Sequence, residues 1–283
     1  MKKYILLISI YLFTLNSFAQ TDNNTEANKK VTGAFNSTRV INAHSIEMLE
    51  KGYLEVRILH RFGFVSDGVK QLFGLDAASM RLGFDYGINN HLTIGIGRST
   101  FRKELDGFIK GRILQQTKGK NEIPISLVVI GGYAVNTEES FAVKKPNVVD
   151  RSSYYVQALV GKKFNEKFAM QFSPIFVHTN FPVVLTDDQN IFALGVGGRY
   201  TISKITAITF DYHAKFGKLD PSFTNPLSVG LDIYTGGHTF QLQFSNATGM
   251  NERAYITQTT GNFFKGNIRL GFNLSRLFDI GKE

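Results

Sequence analysis

The sequence predicts an all-β protein, a transmembrane antiparallel up-and-down β-barrel of about twelve strands with short periplasmic turns and long outer loops. Three observations lead there. A period-2 alternation of apolar and polar residues recurs from Tyr53 to Ser275, the links between alternating segments are short and long by turns, and the chain opens on an export signal. Successive side chains of a strand point to opposite faces, so each alternating segment has one apolar wall and one polar wall.

The export signal is read from Lys2 and Lys3, an apolar run from Tyr4 to Leu15, and Ser17-Phe18-Ala19. A charged start, a short apolar stretch and a small-residue end predict a secretory signal peptide over residues 1–19, cleaved after Ala19. The run is too short to span a bilayer as a helix. Residues 20–52 break the alternation and are read as a periplasmic leader or small plug. Within them Gln20–Lys30 is polar, Arg39–Ala43 could form a strand, and Ser45–Glu50 could form one helical turn.

The barrel is assigned to residues 53–283. Its first segment sets Val56, Ile58 and Phe62 against Glu55, Arg57 and Arg61. The second sets Leu82, Phe84 and Tyr86 against Arg81, Gly83 and Asp85, and the third sets Leu92, Ile94 and Ile96 against Thr93, Gly95 and Gly97. The fourth is weaker, with Ile109 and Ile113 opposing Asp106, Lys110 and Arg112 while Phe108 falls on the polar side. The fifth, Ile123 to Tyr133, is almost continuously apolar.

Later segments are cleaner. Tyr154, Val156 and Val160 oppose Gln157, Gly161 and Lys163; Phe168, Met170, Phe172 and Phe176 oppose Ala169, Gln171 and Ser173, with a bulge or irregularity expected at Pro174. Phe192, Leu194 and Val196 oppose Ala193, Gly195 and Arg199, and Ile208, Phe210 and Tyr212 oppose Asp211, His213 and Lys215. Leu227 to Ile233, Phe240 to Ser245 and Arg269 to Ser275 complete twelve; ten or fourteen strands are the alternatives.

Short links such as Asn89-Asn90, Asn165-Glu166 and Gly236-Gly237 suit tight hairpins, where φ turns positive. The links between them are mostly long and polar, as in membrane barrels with both termini on the periplasmic side. A soluble β-sandwich would alternate too. Against it stand segment lengths near the roughly 9–11 residues that cross a bilayer at a tilt, and outer faces that are apolar and rich in Phe.

Composition narrows the function. The chain has no Cys, which excludes disulfides, thiolate chemistry and covalent haem attachment. Its formal charge is +9, but the cations are spread along strands and loops, so the pattern does not predict nucleic-acid binding. No cofactor or metal is implied. Phe and Tyr supply the aromatic girdles in a chain without Trp.

Three stretches are familiar together: Ser37-Thr38-Arg39-Val40-Ile41-Asn42-Ala43-His44-Ser45 leading to His60-Arg61-Phe62-Gly63, the run Asn246–Thr260, and Gly271-Phe272-Asn273-Leu274-Ser275-Arg276-Leu277-Phe278. The chain resembles the uncharacterised outer-membrane β-barrel family of Bacteroidota over roughly residues 35–280. The resemblance implies a barrel without an assigned activity. The closing Phe278 is followed by five more residues, so the aromatic assembly signal is displaced inward.

The alternation aims Arg57, Arg61, Arg81, Lys110, Arg112, Lys163, Arg199, Lys215 and Arg269 into the lumen, with Glu55, Asp85, Asp106, Asp211 and Asp232 as counter-charges. Nine cations face five anions. In a narrow pore such a surplus favours anions. One expectation is therefore a passive channel or binding lumen for small solutes, anions in particular. The other is that these side chains cross-link and fill the interior, giving a non-transporting structural or partner-docking barrel.

Further candidates are weaker. Asp211, His213 and Lys215 share one face and could relay protons, and a lipase-like enzyme would need Ser245 and His178 to meet. Asn246–Thr260 is the segment best suited to docking a partner. The expected surroundings are outer-membrane lipid and the outer-membrane assembly machinery; a periplasmic partner is not identified.

Overall fold

The computed structural model describes residues 28–139 and 146–281. The export signal and residues 20–27 of the leader lie outside the described residues. Twelve strands form the wall: β1 Tyr53–Phe64, β2 Ala78–Asn89, β3 Leu92–Ser99, β4 Glu104–Leu114, β5 Ser126–Asn136, β6 Ser152–Lys163, β7 Phe168–Thr179, β8 Asn190–Thr201, β9 Thr206–Phe216, β10 Leu227–Tyr234, β11 His238–Ser245 and β12 Arg269–Asp279. Each runs antiparallel to its sequence neighbours, and β12 closes on β1 with Phe272 opposite His60 and Phe278 opposite Leu54. Closure leaves no strand edge with unpaired backbone groups, which a lipid environment would not tolerate.

The alternation sorts side chains between wall and lumen. In β6 the outward Tyr154 and Val156 are 45% and 53% exposed, whereas inward Tyr155, Gln157 and Leu159 are buried. The tight links behave as hairpins: Gly236 and Gly237, between β10 and β11, take φ of 54° and 102°, where a side chain would be strained. At Pro174 the expected irregularity is present without a bulge. Pro174 faces outward in register with Leu194, while the pairing with β6 lapses between Gln157↔Ile175 and Val160↔Phe172 and resumes in the same register. The ring only removes a donor from the ladder.

Two segments enter the cylinder. From the short-turn end, a two-residue strand at Lys29–Lys30 pairs with Thr117–Lys118, and the chain then rises into the lumen before β1. Neither the strand expected at Arg39–Ala43 nor the helical turn at Ser45–Glu50 is present. A tight turn takes their place, closed by Val40 N–H to Ala43 O at 2.9 Å and Ser45 N–H to Thr38 O at 2.9 Å, with one bridge between Arg39 and His44. Many of the other backbone groups of this segment bond to wall side chains, among them Asn42 and Ala43 N–H to Asp211, Ile46 N–H to Gln171 and Val40 O to Gln241, so regular structure is not needed to satisfy them.

From the opposite end, the β11–β12 connection folds inward and carries a six-residue helix, α1 Glu252–Thr257, all of it buried. Asn251 caps it by accepting Ala254 N–H at 2.9 Å. The apolar centre lies where these intrusions meet one sector of wall: Phe35, Val40, Ala43 and Ile46 pack with Phe108, Val128, Ile130, Leu159 and Tyr255.

Candidate functional site

The candidate site is the filled lumen. At its centre Arg39 Nη1 donates to Glu252 Oε1 at 2.8 Å, and both side chains are 1% exposed. Arg39 Nη1 also meets Asn42 O at 2.6 Å. Burial opposes its charge most, but Glu252, Tyr155 and Asp85 together outweigh it and hold the guanidinium above its ordinary range. His44 lies against the same pair, its ring edge-on to Phe108 at 4.4 Å between centroids.

His44 Nε2 is within 3.5 Å of Glu252 and 3.2 Å of Arg39 Nη2. Proximity to the carboxylate alone would favour an imidazolium. The guanidinium can only donate, so Nε2 must accept and the ring is neutral. Burial, then Arg39, Lys110 and Arg57, push its pKa well below the usual histidine value.

The wall residues grip the inner segment strand by strand. On β1, Glu55 accepts from Thr38 Oγ1 at 2.7 Å, and Arg57 bonds Glu55, Thr38 and Ser37 while lying 3.6 Å from Asp85 of β2. Arg61 donates to Asn42 Oδ1 at 2.8 Å and Asn273 Oδ1 at 2.9 Å. Arg81 of β2 pairs with Asp106 of β4. Lys110 donates to Glu47 O at 2.6 Å, and Arg112 to Ile46 O at 3.2 Å.

On the far wall, Arg199 reaches Asn36 Oδ1 at 2.7 Å and Gly33 O at 3.1 Å. Asp211 accepts Asn42 N–H at 2.7 Å and Ala43 N–H at 3.3 Å. Asp232 accepts from Thr209 and Gln241, and Gln241 also donates to Val40 O. Three of the sequence-derived cations stand apart, two of them near the mouths. Lys163 bonds Thr32 O and Glu166; Arg269 lies 3.6 Å over the Phe64 ring; Lys215 Nζ is buried without a hydrogen-bond partner.

More than a dozen hydrogen bonds thus join the inner segment to the barrel. At about 0.5–1.5 kcal/mol net each, they sum to the order of 10 kcal/mol. Spontaneous withdrawal at rest would be rare.

The family model for the "membrane bound beta barrel domain" (DUF5777) matches residues 35–278, taking in the inner segment, the twelve strands and the α1 connection. The chain belongs to this family. No curated protein matches it significantly. In fold it is similar to a structure titled "NanC porin" at 9% identity, covering 79% of this chain and 98% of that one with a TM-score of 0.48. A "KdgM porin" gives 9%, 80%, 98% and 0.46, and the Acinetobacter baumannii outer membrane protein Omp33 gives 8%, 81%, 99% and 0.45.

Three sequence-derived sites are rearranged. The proton relay does not form, because Asp211 is occupied by the inner segment and His213 instead packs on Tyr255 at 5.1 Å. Ser245 faces inward and bonds Ser228 at 2.8 Å, while His178 stacks on Tyr154 on the outer wall, so these two do not meet. Residues 246–259 are not an outer docking surface. Several of their polar groups bond inside: Asn246 donates to Gly261 O at 2.6 Å, and Arg253 and Asn251 bond Glu104.

Sequence reasoning missed Glu252 and Arg253 as lumen residues, along with the binding role of Gln171, Gln241 and Asn273. Gln171, Gln241 and Asn273 stood on polar faces, but nothing local showed what they would hold. Phe108 did carry a signal. An aromatic on a polar face needs an apolar partner, and His44 with the inner segment supplies one.

Proposed function

We propose that this protein is an outer-membrane barrel closed at rest by its own inner segment, whose basic lumen becomes an anion-preferring path for small solutes once that segment is displaced. The observation that carries this is how the lumen cations are satisfied. Lys110 and Arg112 donate to backbone carbonyls of residues 38–47, and Arg61 and Arg199 to groups of residues 33–42. Withdrawal of the segment would leave these charges facing water in a confined space.

Outer-membrane placement rests on the membrane-barrel family, the closed wall and the signal peptide read over residues 1–19 with cleavage after Ala19. The stretches Ser37–Ser45, Asn246–Thr260 and Gly271–Phe278 support a place among the barrels of Bacteroidota. No catalytic step belongs to this reading. A structural, non-transporting barrel is the second reading, favoured by the strength of the hold on the inner segment.

Planar-bilayer recording separates the two. The intact protein is expected to show no steady conductance at neutral pH, and a variant lacking residues 34–46 and 250–258 is expected to conduct with an anion-selective reversal potential. Steady conductance of the intact protein, or cation selectivity in the variant, would overturn the proposal.

A further inference from the structure

The outer wall carries a groove that neither the lumen nor the strand ladder explains. It runs over β3, β4 and β5, has a volume of about 900 Å³, and is lined by Ile94, Ile96, Leu105, Ile109 and Tyr133, with Arg98 at one end. Its floor is low because Gly107 lies between Ile96 and Tyr133 and Gly131 beside Ile109. A side chain at Gly131 would meet nothing within 4 Å.

The two ends differ. β3 runs from the short Asn89-Asn90 turn toward the outer side, so Arg98 stands at the outer end of the groove. Its Nη1 donates to Thr137 Oγ1 at 2.7 Å and to Lys103 O, which fixes the guanidinium there. Arg102 and Lys103 follow on the adjoining turn; Arg102 pairs with Glu138 at 3.1 Å, leaving a net positive rim. Below the rim the lining is apolar.

From Ile94 to Arg98 the strand rises about 13 Å, close to one leaflet of a hydrocarbon core about 30 Å thick. We infer that this groove binds one acyl chain of a phosphate-bearing outer-leaflet lipid, with its headgroup held by Arg98 and the basic turn. This rests on the outer wall facing lipid, as proposed above. Hydrophobicity cannot select an occupant inside a bilayer, where every alternative is equally apolar. Selection comes from the fit of a chain into the trough and from charge at its mouth, about fivefold per cation.

The test uses the full-length barrel in nanodiscs containing lipid A and phosphatidylcholine, with retained lipids counted by native mass spectrometry. The wild type is expected to keep lipid A over phosphatidylcholine by about tenfold or more. Gly131→Leu fills the trough, and Arg98→Gln removes the fixed cation. The first is expected to abolish retention and the second to lower it about fivefold, both with unchanged heat-modifiable gel mobility. Should Gly131→Leu fail to fold, Arg98→Gln alone decides. Equal retention in the variants, no headgroup preference, or a dimer lost with Gly131→Leu would overturn the inference. A barrel that inserts without retaining lipid A refutes the site alone; failure to insert refutes the membrane reading.

Discussion

Arg39 and Glu252 are 213 positions apart in the chain and meet at 2.8 Å in the centre of the barrel. One arrives from the short-turn end and the other from the long-loop end. Their contact joins the two intrusions that fill the lumen. Removing one partner leaves a buried charge uncompensated, which costs about 3–5 kcal/mol. Arg39→Met or Glu252→Gln is therefore expected to lower the unfolding midpoint in detergent, and the double substitution to recover most of the loss.

The neutral state of His44 makes closure sensitive to acid. With its pKa pushed well below the ordinary value of about 6.5, the ring is neutral when the segment is seated. Once displaced into water, it binds a proton below about pH 6.5. The displaced state then holds more protons, so acid favours displacement, and the hold weakens progressively as pH falls through and below about 6.5. Arg39, Lys110, Arg57, Arg81 and Glu252 surround the ring. The protection factors of residues 37–46, taken relative to the intrinsic exchange rate at each pH, are expected to fall between pH 7 and 5, and the fall is expected to shrink in His44→Gln.

Adjacent glycines test which way the wall faces. Gly131 looks into open space, whereas a Cβ on Gly132 would lie 2.1 Å from the Tyr155 ring, which is 5% exposed and unable to step aside. Gly132→Ala is expected to destabilise the barrel by about 1–3 kcal/mol through overpacking. Gly131→Ala is expected to change it by less than about 0.5 kcal/mol. Urea titration of the folded fraction checks both.

A charge on the outer wall should behave differently from one removed inside. Phe172 faces outward, 43% exposed, and Phe172→Arg is expected to cost about 2–4 kcal/mol near the bilayer midplane. Lys215 Nζ is buried without a hydrogen-bond partner, so Lys215→Met is expected to be neutral or mildly stabilising. Folding yields into lipid vesicles compare the two.

The wall was legible in the sequence because a period of two is a local property. Eleven of the twelve segments, from Leu54–Phe62 to Arg269–Ser275, lie within a strand, and the fifth, Ile123 to Tyr133, starts three residues ahead of the strand at Ser126–Asn136. The interruptions were informative as well. Phe108 on a polar face and the apolar run through Val128 and Ile130 mark the sector that packs on the inner segment. The filling was not legible. Residues 34–46 have no periodicity, since much of their backbone bonds to side chains remote in sequence, Lys110, Asp211, Gln241 and Asn273 among them. For the same reason Asn246–Thr260 read as a solvated loop, although Asn251, Glu252 and Arg253 are polar in order to bond within the barrel.

The chain has no native Cys, so a cysteine pair at Asn42 and Ser228, whose side chains meet at 2.8 Å, reports directly on the inner segment. Oxidative refolding of Asn42→Cys/Ser228→Cys barrels should join the two positions by a disulfide in nearly all molecules and keep the lumen shut under acid. Rapid alkylation of both thiols by a water-soluble maleimide in the folded, reduced barrel would show that the segment does not occupy the lumen.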